Sequence, residues 1–291
     1  MQVRYIGFIS LIALLMLGLL LLRSKSAFFA YHLNKNGVHI IRDVIYVAGS
    51  ENPKHRLDLY LPEDKTNYPL IYFVHGGNWN SGDKYYYQWI TGLYGNIGVV
   101  LAKRGVGVAI ANYRLYPETT IEGMLDDVVM GTNYAVQNAN RYGWNKKIYL
   151  MGHSAGGHLI TLAMTNHTLK TSATINKQDI VGIIPLSPIL DIPMLTSKSE
   201  EDYNERVVYP LFGKTLEEQK PYSSITHWKS ITVPVCALVG EYDYSHIRDL
   251  GVKFANATVL PKYYHSDLVT RIGSSNDLVI PTILNCLNLE G

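Results

Sequence analysis

Short runs of consecutive apolar residues alternate along this chain with longer stretches in which apolar positions recur every three or four residues. The first kind predicts strands at Val44–Ala48, Leu70–Val74, Val106–Ala111, Ile148–Met151, Ile180–Leu186, Val233–Val239 and Ala257–Leu260, and the alternation of Leu57, Leu59 and Leu61 predicts another at Arg56–Leu61. Several of these runs are apolar throughout, which suits central parallel strands covered on both faces. The second kind predicts helices from about Tyr85 to Lys103, from Glu118 to Tyr142, over His158–Met164, from His246 onward, and from Asp277 to about Leu289. In the longest of them, Ile121, Leu125, Val128, Val129, Thr132, Val136 and Ala139 fall on one helical face. Strands alternating with helices predict an α/β fold: a mostly parallel, doubly wound central sheet with helices on both faces.

Three segments stand apart from this alternation. Tyr5–Leu22 holds 18 residues without a charge, between Arg4 on one side and Arg23 and Lys25 on the other. That length is the lower limit for crossing a bilayer, and a run apolar all round does not suit a surface helix. Residues 1–23 are therefore expected to be an N-terminal hydrophobic helix, either a membrane anchor or a signal segment, with the chain held at a membrane or exported across it. Ser24-Lys25-Ser26 is a poor cleavage site because of its charges, which favours the anchor. Residues 24–40 read as a connector, and 41–291 as one folded domain. Within that domain, about 189–230 is less regular; it reads as an insertion, helical around Glu201–Leu211, lying over the site.

Composition removes some classes of function. In 291 residues, 26 basic side chains balance 24 acidic ones with no clustered basic stripe, which argues against nucleic acid as a partner. The 22 tyrosines are more than usual, and packing is the expected use of most. Cys236 and Cys286 both read as buried thiols, with a bridge between them left open.

The candidate chemistry lies where predicted strands end. Gly152-His153-Ser154-Ala155-Gly156 follows an apolar run and precedes a helical stretch. A G-x-S-x-G between strand and helix lifts the serine on a sharp turn, and the crowding there leaves no room for side chains two residues either way. Asp243 follows the strand at Val233–Val239, and His265 follows the last strand. A serine hydroxyl needs a base to become a nucleophile, histidine titrates in the right range, and a buried carboxylate fixes the imidazole tautomer. Asp191 and Glu241 are the other candidate acids, and His227 and His246 the weaker candidate bases. His75-Gly76-Gly77-Asn78 follows an earlier strand and supplies backbone N–H groups for an oxyanion, from Gly77 or Asn78, with Ala155 as the second donor. Histidines 153 and 158 lack metal-ligand spacing and read as structural, His75 as a brace for its loop, and Asp126-Asp127 as members of a solvated or hydrogen-bonded helix face. Tyr85-Tyr86-Tyr87, just past the oxyanion loop, reads either as packing or as a contact for an aryl or sugar group.

These segments carry a resemblance. Leu57-Asp58-Leu59-Tyr60-Leu61-Pro62, His75-Gly76-Gly77-Asn78-Trp79 with Ser81-Gly82-Asp83-Lys84, Asn112-Tyr113-Arg114-Leu115 and Gly152 to His158 resemble the esterase/lipase branch of the α/β-hydrolases. Within that branch the chain is similar to carboxylesterases of the feruloyl and acetyl-xylan type and their kynurenine formamidase relatives, over roughly residues 43–290. The resemblance implies a triad of Ser154, Asp243 and His265, an HGG oxyanion loop, a small-molecule ester as substrate, and no metal or cofactor. A formamidase acting on an amide, or a binding protein on the same fold, are the alternatives.

Overall fold

The apolar runs become the strands of a single eight-stranded sheet in the computed structural model, which describes residues 25–86, 88–165 and 167–289. The strands are β1 (Val38–Ile45), β2 (Arg56–Pro62), β3 (Tyr68–Val74), β4 (Gly107–Ala111), β5 (Trp144–His153), β6 (Ile180–Leu186), β7 (Leu238–Gly240) and β8 (Thr258–Leu260). Their order in the sheet is β1-β2-β4-β3-β5-β6-β7-β8. β2 runs antiparallel to both of its neighbours, and every pairing from β4 to β8 is parallel.

Two helical layers cover the sheet. Alternation sends Leu70, Tyr72 and Val74 into the core under one layer, with Ile121, Leu125, Val128 and Leu159. Ile71 and Phe73 point to the other, with Ile97, Leu101, Ile280 and Ile283. The helices are α1 (25–34), α2 (Gln88–Thr91), α3 (Gly95–Ala102), α4 (Ile121–Gln137), α5 (Ala139–Tyr142), α6 (Ala155–Met164), α7 (Ile192–Lys198), α8 (Glu201–Tyr203), α9 (Tyr209–Phe212), α10 (Leu216–Gln219), α11 (Ser245–Ala255), α12 (Asp267–Thr270) and α13 (Val279–Cys286).

The strand expected over Val233–Val239 is reduced to β7, and the helix expected over Glu118–Tyr142 breaks at Asn138 into α4 and α5. Four further departures change the picture more. The stretch 24–40 is more than a connector: residues 25–34 form α1, whose Ala27, Ala30 and Tyr31 are buried, and β1 begins at Val38. β1 is an edge strand with a register shift between Ile41 and Val44, so it lacks the apolar signature of a covered strand. The helix expected over 85–103 is split into α2 and α3. Gly92 has φ +68°, and a Cβ there would lie 2.3 Å from Ala27 O, so the close approach of α1 requires glycine. The two cysteines are bonded to each other across a Cα–Cα distance of 6.1 Å; Cys236 is buried, whereas Cys286, at the end of α13, is exposed.

No helix among the described residues is long and apolar enough to cross a membrane. Tyr5–Leu22, expected as the anchor or signal, lies outside the described residues.

Candidate active site

The site forms where β5 meets α6. β5 ends at His153, Ser154 takes φ +55° and ψ −118°, and α6 begins at Ala155. A non-glycine residue held at positive φ costs about 1–3 kcal/mol, so this turn must be over-determined by its surroundings. It is. A Cβ on Gly152 would lie 2.5 Å from Gly156 O, and one on Gly156 would lie 2.2 Å from Val74 O. The Ser154 N–H donates to Leu186 O at 2.9 Å, and Ser154 O accepts from the His158 N–H at 2.9 Å.

Two loops bring the partners. His265 lies between β8 and α12, and its Nε2 is 2.9 Å from Ser154 Oγ. Its Nδ1 is 2.9 Å from Oδ1 of Asp243, which lies just after β7. Asp243 also accepts from the Tyr244 N–H at 2.8 Å and from the Ser187 hydroxyl. Burial works to raise the Asp243 carboxyl pKa, but the bonds from His265, Ser187 and Tyr244 outweigh it and hold the group below its usual value. The other acids are elsewhere. Asp191 caps α7 through the Met194 N–H, and Glu241 accepts from the Lys262 N–H at 2.7 Å. His227 sits at a kink in a separate helical segment, whereas His246 lines the cleft without touching Ser154 or Asp243 among the hydrogen bonds observed.

The loop after β3 passes directly beside the serine. A Cβ on Gly76 would lie 3.2 Å from Ser154 Cβ, and one on Gly77, at φ +125°, would lie 2.1 Å from Ser81 O. Gly77 O accepts from the Ser81 N–H at 2.9 Å and from its hydroxyl at 2.8 Å, which locks the turn. Asn78 occupies the left-handed region at φ +53°, a conformation asparagine tolerates better than most residues. His75 is fully buried, stacks on Tyr113 with ring centres 4.6 Å apart, and binds Gly76 O at 2.7 Å.

Histidines 153 and 158 flank the serine in structural positions. His153 Nε2 lies 3.0 Å from His265 O. His158 Nδ1 accepts from the Trp79 indole at 3.1 Å, while its Nε2 donates to Tyr222 O at 2.8 Å. Burial pushes the imidazole pKa of His153 down to about 3, and those of His75 and His158 to about 4. All three are neutral at neutral pH. Asp127 accepts from Arg114 and His55 in the core, and Asp126 from the N–H groups of Ser172 and Ala173. Among the described residues no three His, Cys, Asp or Glu side chains converge as a metal site.

A cleft of about 330 Å³ opens over Ser154 and His265, with Asn78 on one wall. Ile189, Leu195 and Tyr203 from the 189–230 stretch and Tyr244 and Ile247 from α11 and the residue before it supply its apolar lining, with Lys198, Ser199 and Glu200 at its polar side. The Tyr203 hydroxyl donates to Asn78 Oδ1 at 3.1 Å, tying this covering segment to the loop after β3. Sequence reasoning missed Ser187 and Tyr203. The position of Ser187 at the end of a central strand was the available signal; for Tyr203 there was none.

A mostly parallel sheet with one antiparallel inner strand, and a serine on a tight turn between a central strand and the next helix, define an α/β-hydrolase. The chain belongs to the BD-FAE family, whose model matches residues 57–254. It is similar to a probable isoprenylcysteine alpha-carbonyl methylesterase of Oryza sativa subsp. japonica, 37% identical over 135 residues, covering 46% of this chain and 29% of that protein. The match thus spans less than a third of that relative's length. It is also similar to the kynurenine formamidase of Drosophila melanogaster, 26% identical over 229 residues, covering 73% of this chain and 71% of that one. Among solved structures, esterase B from Lactobacillus rhamnosis (HN001) superimposes with a TM-score of 0.69 at 19% identity, covering 99% of this chain and 95% of that one. Family, relatives and fold put the chain in the esterase branch of the α/β-hydrolases.

Proposed function

We propose that this chain is a serine-dependent carboxylic ester hydrolase that works through an acyl-enzyme on a small or carbohydrate-linked ester. The observation that carries the reading is the unbroken line of hydrogen bonds from Asp243 through His265 to Ser154, 2.9 Å at each step, opening on the cleft. Ser154 Oγ attacks the ester carbonyl as His265 Nε2 takes its proton, and Asp243 holds the imidazole with Nδ1–H towards the carboxylate. The tetrahedral oxyanion rests against the N–H of Ala155 and that of Gly77 or Asn78. Collapse breaks the bond to the alcohol, which leaves with the proton from His265. Water, deprotonated by His265, then attacks the acyl carbonyl; the acid departs and Ser154 regains its proton. Every bond and proton in the cycle belongs to these side chains, the ester and water.

The likeness to a kynurenine formamidase over most of both chains supports a second reading, cleavage of an N-formyl amide by the same residues. Comparing kcat/KM on an aryl ester and on N-formylkynurenine separates the two. We further read Tyr5–Leu22 as a membrane anchor or export signal, so that the enzyme works at or beyond a membrane.

Fluorophosphonate labelling tests the shared chemistry. Wild type should label, while Ser154→Ala and His265→Ala should not, and ester turnover in Ser154→Ala should fall by roughly 10⁴-fold or more. Wild-type-like turnover by folded Ser154→Ala would sink the mechanism.

A further inference from the structure

The first two helices, and the turn before the second, expose large apolar side chains to solvent; of these, Tyr85 also carries the Arg42 guanidinium over its ring, 5.2 Å from the centre. On α1, Phe29 is 44% exposed and Leu33 70%, four residues apart and so on one face; the opposite face buries Ala27, Ala30 and Tyr31. On α2 Trp89 is 64% exposed, and Tyr85, one turn earlier, 39%. The two helices touch: a Cβ on Gly92 would meet Ala27 O at 2.3 Å and Phe28 Cα at 2.7 Å. Isolated exposed apolar residues need no explanation, but large ones gathered on adjoining short helices mark a contact surface.

Two independent observations say what this face contacts. The first is charge. On the domain side of Tyr5–Leu22, residues 23–42 contain Arg23, Lys25, Lys35 and Arg42, the last paired with buried Asp58, and no Asp or Glu; all 24 acids of the chain lie at or beyond Asp43. Lys25 and Lys35 bracket α1, and both are exposed. The second is chain length. Only Arg23 and Ser24 separate Leu22 from the first described residue of α1. Three residue steps span at most about 10 Å even when fully extended. If Tyr5–Leu22 lies in a bilayer, α1 has no choice but to sit at the bilayer surface. Tryptophan and tyrosine are at home there, and each nearby lysine or arginine contributes attraction to anionic headgroups.

We propose that the face carried by Phe29, Leu33, Tyr85 and Trp89 docks on an anionic lipid surface, fixing how the hydrolase domain is oriented at the membrane. The proposal rests on the membrane reading of Tyr5–Leu22. Docking on a second copy of the chain, or coverage by the apolar run folding back, are the other possible occupants, and the test separates them from lipid.

The experiment reconstitutes the full chain in phosphatidylcholine–phosphatidylglycerol vesicles whose acyl chains carry bromine, a quencher of tryptophan fluorescence. Flotation reports the anchor and quenching reports the face. Of the other three tryptophans, Trp79 and Trp144 are buried and Trp228 is half-buried, and all three are kept in both proteins, so the difference between wild type and Trp89→Phe isolates the exposed indole. The expected result is flotation of both proteins, with most of the quenching lost in Trp89→Phe. Flotation with equal quenching in the two overturns docking while sparing the anchor; it is the result if the face meets protein or its own N-terminal run. No flotation removes the anchor reading and the docking proposal together. Phe29→Ser/Leu33→Ser provides the second variant: it should still float and still label with fluorophosphonate, but show reduced quenching of Trp89. Unchanged quenching there also overturns the proposal.

Discussion

Ser187 is the residue whose part in the site is easiest to overlook and easiest to test. It is fully buried at the end of β6, and its hydroxyl donates to the Asp243 oxygen that His265 leaves free. A buried carboxylate needs its lone pairs filled, and losing one donor to a charged group costs about 1.5–3 kcal/mol. Ser187→Ala should therefore lower kcat roughly tenfold with KM nearly unchanged, because the weakened group orients His265 rather than touching substrate. Steady-state kinetics on one ester checks this, and a KM effect without a kcat effect would place Ser187 outside the relay. The contrast with Ser154 is instructive about what a sequence reveals. Ser154 was legible because its turn imposes glycines at fixed offsets, and those glycines are needed locally, as the approaches of Gly152 to Gly156 O and Gly156 to Val74 O make plain. Asp243 and His265 were legible because each follows a strand. Ser187 follows one too, but a serine-proline pair has no spacing that distinguishes a second acceptor partner from an ordinary turn.

Among the elements, the long-range contacts are what the pattern of apolar positions failed to express. β1 was misplaced because an edge strand need not be apolar, and the helix expected over 85–103 is broken by contact with α1, some sixty residues away in sequence. The same holds for the histidine that joins three elements. His158 on α6 receives the Trp79 indole from the loop after β3 and donates to Tyr222 of the covering segment, both as a neutral ring. That neutrality sets the acid limb of stability. Burial lowers the pKa of His158 from 6.5 to about 4, so between those values the unfolded chain binds a proton that the folded chain does not. Stability is then full above pH ~6.5 and declines as pH falls toward ~4, by on the order of 3 kcal/mol for this one ring, with His75 and His153 adding in the same direction. Urea midpoints at pH ~7.5 and ~4.5 should differ clearly in wild type and less in His158→Gln, which is weaker throughout but has lost one proton-linked step. An identical pH slope in the two proteins would mean that His158 is protonated in the fold.

At the scale of the whole molecule, the Cys236–Cys286 bond closes a 50-residue loop that contains both Asp243 and His265. Cys236 leads into β7 and Cys286 ends α13, so the bridge binds the half of the sheet that carries the relay to the helix that covers it. The central strands β2 to β6 are packed on both faces by clusters that extend well beyond the C-terminal helix, although Cys236 belongs to one of them. The bridge should therefore act on the stability of the β7–β8 edge more than on chemistry. In the chain-entropy account, closing a loop of this length is worth about 4 kcal/mol. Cys236→Ser/Cys286→Ser should accordingly lower the thermal midpoint by roughly 5–15 °C while fluorophosphonate labelling at room temperature stays close to wild type. A weakly paired edge also has a kinetic consequence. β7 meets β6 through a single paired residue, Leu186 with Leu238, supported by a bridge between Ile183 and Val235. Local opening there should separate His265 from Ser154 before the rest of the sheet yields. In the cysteine-free protein, labelling by fluorophosphonate during slow heating should disappear at a lower temperature than the loss of far-UV ellipticity, whereas in wild type the two should coincide. Coincidence in both proteins would show that the edge opens only with the whole fold.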